Sequence, residues 1–126
     1  MKTIKCACLV QQKADKLLLV RVRDNELWYL PGGKVEAEEA PEDALVRELA
    51  EELNITVQKD RVQYLYTVKG PAYGEEALVE LICFAANWDG EISPCAEISE
   101  VDWISVKKKE WMAPAVVTLV EEYMER

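Results

Sequence analysis

Between Gly33 and Ile55 the chain reads GKVEAEEAPEDALVRELAEELNI, and its character changes at Pro41. Before that proline the residues are polar or small and follow the breaker cluster Pro31-Gly32-Gly33, which predicts a loop reaching to about Ala40. From Pro41 to Leu53 the pattern is helical. Proline suits the first helical position, Glu42 and Asp43 favour the positive end of the helix, and no glycine interrupts. Ala40 is a weak N-cap, and Asn54 is placed to close the helix, because asparagine is the usual substitute for glycine in the left-handed conformation.

At about 100° per residue, counted from position 40, Leu45, Val46, Leu49, Ala50 and Leu53 fill an arc from roughly 140° to 280°, the expected buried face. Glu48, Glu51 and Glu52 fall at roughly 80°, 20° and 120°, on one flank beside it. Like charges three and four residues apart cost about 0.2–0.5 kcal/mol per pair, and Arg47 is the only cation in this helix. Two readings follow. The carboxylates form a solvated acidic face, or they form an oxygen site for a hard divalent cation.

Outward from this segment, Thr3 to Val10 alternates, with Ile4, Cys6, Cys8 and Val10 on one face, and Leu17 to Arg23 is a second β-rich run, so the two are expected to form a hairpin. Val62 to Val68, Ala77 to Trp88 and Val101 to Ile104 are further expected strands. The turn-rich stretch Lys69 to Gly74 lies between the first two, and Ala113 to Met124 is a second expected helix. No linker or repeat divides the 126 residues, so a single domain over 1–126 is expected, with a mixed sheet, one central helix and one C-terminal helix.

The composition narrows the chemistry. There is no histidine, which excludes Ser-His-Asp and Cys-His catalysis and His-ligated zinc or iron. The four cysteines, Cys6, Cys8, Cys83 and Cys95, lack C-x2-C spacing and are expected to be structural free thiols. The net charge of −9 opposes binding to a nucleic-acid polymer. No apolar stretch approaches the roughly 20 residues of a membrane helix and no signal peptide is evident, so a cytoplasmic location without membrane partners is expected.

The spacing Gly33-x5-Glu39-x7-Arg47-Glu48-Leu49-x-Glu51-Glu52-x-Asn54-Ile55 resembles the signature of the Nudix hydrolases, G-x5-E-x7-R-E-U-x-E-E-x-G-U with U aliphatic; eight of nine defined positions match, and Asn54 replaces the final glycine. The resemblance covers box residues 33–55, and the strand order around it is similar too. It implies an α/β (α+β) fold, a Nudix-like α/β/α sandwich. It also implies hydrolysis of a phosphoanhydride in a nucleoside diphosphate linked to some group X, with Mg²⁺, or alternatively Mn²⁺. On that resemblance Gly32, Glu48, Glu51, Glu52 and Glu97 would ligate metal, with Glu48 or Glu97 acting on the attacking water. Gly33, Glu39 and Arg47 would support the site, the last two as a bidentate pair.

Arg21, Arg23 and Lys34 are the cations near this loop and are candidates for substrate phosphates, against a solvated strand end as the alternative. Trp28, Tyr29, Tyr73 and Trp111 are candidates for base stacking, or for ordinary packing. Pro71 and Tyr73 lie where the resemblance marks ADP-ribose hydrolases and dinucleoside polyphosphate hydrolases respectively, and so select neither. A compact MutT-like nucleoside triphosphate pyrophosphohydrolase is the favoured expectation, acting on a small-molecule nucleotide as a monomer or homodimer. Nucleotide-sugar hydrolysis is a further alternative. The alternative of another class is a non-catalytic nucleotide-binding regulatory domain, which is disfavoured because Glu48, Glu51 and Glu52 are all retained. Val116 stands near where MutT-like members carry a base-reading asparagine, which weighs against oxidised guanine.

Overall fold

The computed structural model describes residues 2–124. It is a mixed α+β arrangement with two helices and two sheets. Strands β1 (Lys2–Leu9), β4 (Gly32–Lys34), β5 (Gln63–Pro71) and β6 (Ala77–Ala85) form a sheet of order β4-β1-β6-β5, in which β1 and β6 run parallel. The short β2 (Gln12–Lys13), with β3 (Lys16–Val22) and β7 (Ile98–Ser105), forms an antiparallel sheet of order β2-β3-β7. Helix α1 spans Pro41–Leu53 and α2 spans Pro114–Leu119, continuing as a π-helical turn over Val120–Met124.

Both sheets feed two apolar clusters by strand alternation. Leu17 and Leu19 of β3 and Cys8 of β1 face α2, where Ala115, Val116 and Leu119 cover them. Leu18, Val20, Ala7 and Leu9 face the other way, toward Leu45, Leu49 and Leu53 of α1. A sheet layer buried on both faces needs near-continuous apolar runs, and Leu17 to Val20 is such a run. The α/β/α sandwich follows from this arrangement.

Several expectations are corrected. β1 and β3 do not pair: β1 lies between β4 and β6 in one sheet and β3 belongs to the other, while the hairpin is the short β2–β3 turn through Ala14, which adopts φ 56°. The central position of β1 also breaks its expected alternation, since Ala7, Cys8, Leu9 and Val10 are all buried. Gly32–Lys34, expected as loop, pairs with Cys6–Cys8 as β4. β5 extends to Pro71, into the expected loop, because its partner residues Leu78 to Leu81 continue the ladder. Helix α1 keeps its expected bounds, with Ala40 and Asn54 as caps, and Asn54 is left-handed at φ 56°, ψ 36°. Its buried face is turned, however: Ala50 is exposed and Val46 half-buried, whereas Ala44 and Glu52 are buried. The buried arc therefore runs from about 40° to 220° on the same wheel, with Glu52 near its centre.

Candidate active site

The loop between β4 and α1 lies back against the helix through Arg47. Its guanidinium donates from Nε to Glu39 Oε2 at 3.0 Å and from Nη2 to Glu39 Oε1 at 2.9 Å, a bidentate pair. Nη2 also donates to the Lys34 carbonyl at 3.2 Å, and Nη1 to Glu48 Oε1 at 2.8 Å. One side chain thereby joins the loop, β4 and the first carboxylate of the cluster. The guanidinium, together with the Glu36 amide, holds the Glu39 carboxyl down at about 2.

The two glycines of β4 are required by close approach. At Gly32, φ is +132° and a Cβ would stand 2.0 Å from the Ala7 carbonyl oxygen. At Gly33 a Cβ would stand 2.5 Å from the Glu48 carboxylate. The backbone of β4 is thus pressed against β1 on one side and the α1 carboxylates on the other, and the Gly32 amide donates to Glu52 Oε1 at 3.2 Å.

Glu52 is the one buried polar or charged residue among those described, at 7% exposure. Burial pushes its carboxyl up to about 8, partly offset by the Gly32 amide and reinforced by the charges of Glu48, Glu97 and Glu51. Those four carboxylates therefore share one electrostatic neighbourhood. Glu97 reaches it from the loop before β7, which is tied down by the Arg23 amide donating to the Glu97 carbonyl at 2.7 Å and the Cys95 amide donating to the Glu52 carbonyl at 2.8 Å. Its near neighbour Glu100 is instead ion-paired to Arg21.

Among the described residues no three carboxylates or thiols are already gathered as a metal cluster. Glu48 leans on Arg47, Glu52 on the Gly32 amide, and Glu51 points outward with 57% of its side chain exposed. The donor chemistry nevertheless fits a hard divalent cation. The donors are all oxygens, three carboxylates from one flank of α1 joined by Glu97 and the β4 backbone, and one of them is a buried carboxyl whose ionisation its like-charged neighbours oppose, which is the environment a cation would relieve.

A cavity of about 250 Å³ opens from this flank. Gly32, Gly33, Lys34 and Glu52 line it, as do Tyr73 and Glu75 of the β5–β6 loop. Of the candidate phosphate-binding cations, Lys34 lines the cavity; Arg21 and Arg23 do not. Arg21 lies on the other side of β3 from the cavity-lining Val20 and Val22, pairs with Glu100 and sits 5.5 Å from the Trp28 ring centre. Of the aromatic candidates, Tyr29 and Tyr73 line the cavity and Trp28 and Trp111 do not. Glu75 was not singled out by sequence, and no local signal marks it, because its place depends on where the β5–β6 loop lands. The cysteines are free, and burial holds Cys6 up at about 11 and Cys83 at about 12, so both stay protonated.

Comparison with known proteins identifies the family and the fold. A family described as NUDIX domain matches residues 1–122. A "MutT-like protein" of Streptomyces ambofaciens is 33% identical over 104 residues, 82% of this chain, and the match spans 64% of that relative, less than two thirds of its length. A "Putative 8-oxo-dGTP diphosphatase 2" of Mycobacterium tuberculosis is 36% identical over 114 residues, covering 82% of this chain and 80% of the relative. The solution structure of the E. coli ORF135 protein superposes with a TM-score of 0.75 at 30% identity, over 98% of this chain and 90% of that one. A MutT Nudix hydrolase from Burkholderia pseudomallei superposes with a TM-score of 0.65 at 25% identity, over 85% and 86% of the two chains. Members of this family are hydrolases that act on pyrophosphate bonds of small nucleotides and generally use divalent metals. With eight of nine signature positions in place on a matching fold, the chain belongs to the Nudix hydrolase family.

Proposed function

We propose that the protein is a Mg²⁺-dependent pyrophosphohydrolase of nucleoside triphosphates, releasing a nucleoside monophosphate and pyrophosphate. The observation that carries this reading is that the cavity reaches the carboxylate flank: Gly32, Gly33 and Glu52 line it, so a nucleotide held there would have its phosphates beside Glu48, Glu51 and Glu52. Bound Mg²⁺, or Mn²⁺, would supply charge neutralisation of the diphosphate and Lewis-acid polarisation. Gly32, Glu48, Glu51, Glu52 and Glu97 are the residues that would hold it.

The chain's own groups account for the rest. Lys34, which lines the cavity, offers a cation for phosphate oxygen. Glu48, whose Oε1 accepts from Arg47, would take the proton of the attacking water, with Glu97 as the alternative base. Arg47 and Glu39 hold the loop and Glu48 in register. The names of the curated relatives, a MutT-like protein and a diphosphatase, support the same reaction class.

The test is a product-release assay over canonical nucleoside triphosphates, nucleotide sugars, ADP-ribose and dinucleoside polyphosphates with Mg²⁺ or Mn²⁺. Monophosphate plus pyrophosphate from a triphosphate is the expected result. Tight nucleotide binding without product, or turnover confined to the other substrates, would overturn it.

A further inference from the structure

The polar side chains that line the cavity belong to two places. Lys34 and Glu52 belong to β4 and the carboxylate flank, beside the candidate phosphate position; Tyr73 and Glu75 belong to the exposed β5–β6 loop. The Tyr29 hydroxyl is already engaged, accepting from Asn25 Nδ2 at 3.2 Å. The rest of the wall is mostly apolar, with Ile4, Val20, Leu30, Val79, Leu81 and Val116, and the thiols of Cys6 and Cys8 add only weak donors.

Much of the nearby backbone is engaged as well, although the amides of the cavity-lining Leu30 and Ala115 have no backbone partner among the described residues. Val20 and Tyr29 exchange both amide–carbonyl bonds, the Ala113 amide donates to Trp28, the Ala72 amide to Ala77, and the Val116 amide to Ala113, while Pro71 has no N–H. A heterocycle lodged against this wall thus meets mostly apolar contact and few partners for its edge.

We infer that the mostly apolar wall of this cavity selects the base of its nucleotide by shape and apolar contact, not by hydrogen bonds to the base edge, so that the enzyme is tolerant among bases and rewards an apolar substituent. This rests on the pyrophosphohydrolase reading above and sharpens its substrate class. Sites that hydrogen-bond a substrate group reject analogues lacking it by about 10⁴–10⁵-fold, whereas apolar pockets discriminate a methylene by about 10–200-fold and reject an added hydroxyl only weakly. The same physics denies this cavity a strong preference for 8-oxo-dGTP over dGTP, whatever the names of its relatives.

The experiment measures kcat/KM with Mg²⁺ for dATP, dGTP, dCTP, dTTP, dUTP and 8-oxo-dGTP, and dissociation constants for the corresponding monophosphates. The expected kcat/KM values for the four canonical triphosphates lie within about tenfold of one another, 8-oxo-dGTP lies within about tenfold of dGTP, and dTTP exceeds dUTP, from which it differs by one methyl group. A wider spread in either comparison, or dUTP turned over as well as dTTP, overturns the inference. If no triphosphate is hydrolysed, the triphosphate pyrophosphohydrolase reading fails by itself and the monophosphates decide. Dissociation constants within about tenfold, with dTMP tighter than dUMP, uphold selection by apolar contact; a wider spread, no dTMP preference or no binding overturns it.

Discussion

Glu52 Oε1 accepts a hydrogen bond from the Gly32 amide at 3.2 Å, which joins the last turn of α1 to the start of β4 through a buried carboxyl. One amide does not offset the burial and the three neighbouring carboxylates, so the group titrates near about 8 instead of 4.5.

A pH dependence of the metal-free protein follows. An acid whose folded pKa lies above its unfolded value is protonated preferentially in the native state. Stability therefore falls as the pH rises from 4.5 through about 8. Thermal melts in a chelator across that window should show the decline, and Glu52→Gln should flatten it while abolishing Mg²⁺-dependent turnover with the fold retained by circular dichroism. A Glu52→Gln enzyme with near wild-type rate would remove Glu52 from the metal site.

The Glu39–Arg47 pair titrates in the opposite sense. The Glu39 carboxyl is lowered from 4.5 to about 2, so its contribution is present above 4.5 and is lost as the pH falls toward 2. Arg47→Lys keeps the charge but not the bidentate geometry, and groups that orient ligands typically alter affinity or activity about 10–100-fold. The expected loss in kcat or in apparent Mg²⁺ affinity is of that order, with a smaller change in melting temperature. Equal activity in the Lys variant would reduce Arg47 to a charge alone.

The two glycines of β4 should respond differently to alanine. Gly32→Ala drives a Cβ into the Ala7 carbonyl of the central strand at a positive φ, so loss of folding or destabilisation beyond about 2 kcal/mol is expected in urea titrations. Gly33→Ala meets only the Glu48 side chain, which can yield. That variant should fold and lose turnover, because Glu48 is displaced from Arg47.

Asn54 supplies the left-handed cap at φ 56°, and its amide donates to the Leu49 carbonyl. Asn54→Gly is expected to change stability by less than about 1 kcal/mol and Asn54→Ala to cost about 1–2 kcal/mol, both with unaltered kcat. A change in kcat for Asn54→Gly would show that this departure from the family signature reaches the chemistry.

Much of this was legible beforehand where the physics is local. Pro41, the uninterrupted helix formers and Asn54 state the bounds of α1 in its own residues. The wheel misplaced the buried face because apolarity alone was counted, and tertiary packing turned Glu52 inward with Ala44 while leaving Ala50 in solvent. Adjacent strands suggested a hairpin, but β1 pairs with β6, 75 residues on at the Lys2–Ala77 register, and no local pattern reveals a parallel pairing at that range.

The sequence by itself determined the helix, the spacing of Glu39, Arg47, Glu48, Glu51 and Glu52, the absence of histidine and hence the family, because each is a property of neighbouring residues or of composition. Only the tertiary structure decided that Glu52 is buried, that Lys34 and not Arg21 or Arg23 lines the cavity, and that most of the cavity's wall is apolar. Those features depend on which distant strands and loops close around the helix, and burial and electrostatic neighbourhood are set by that closure.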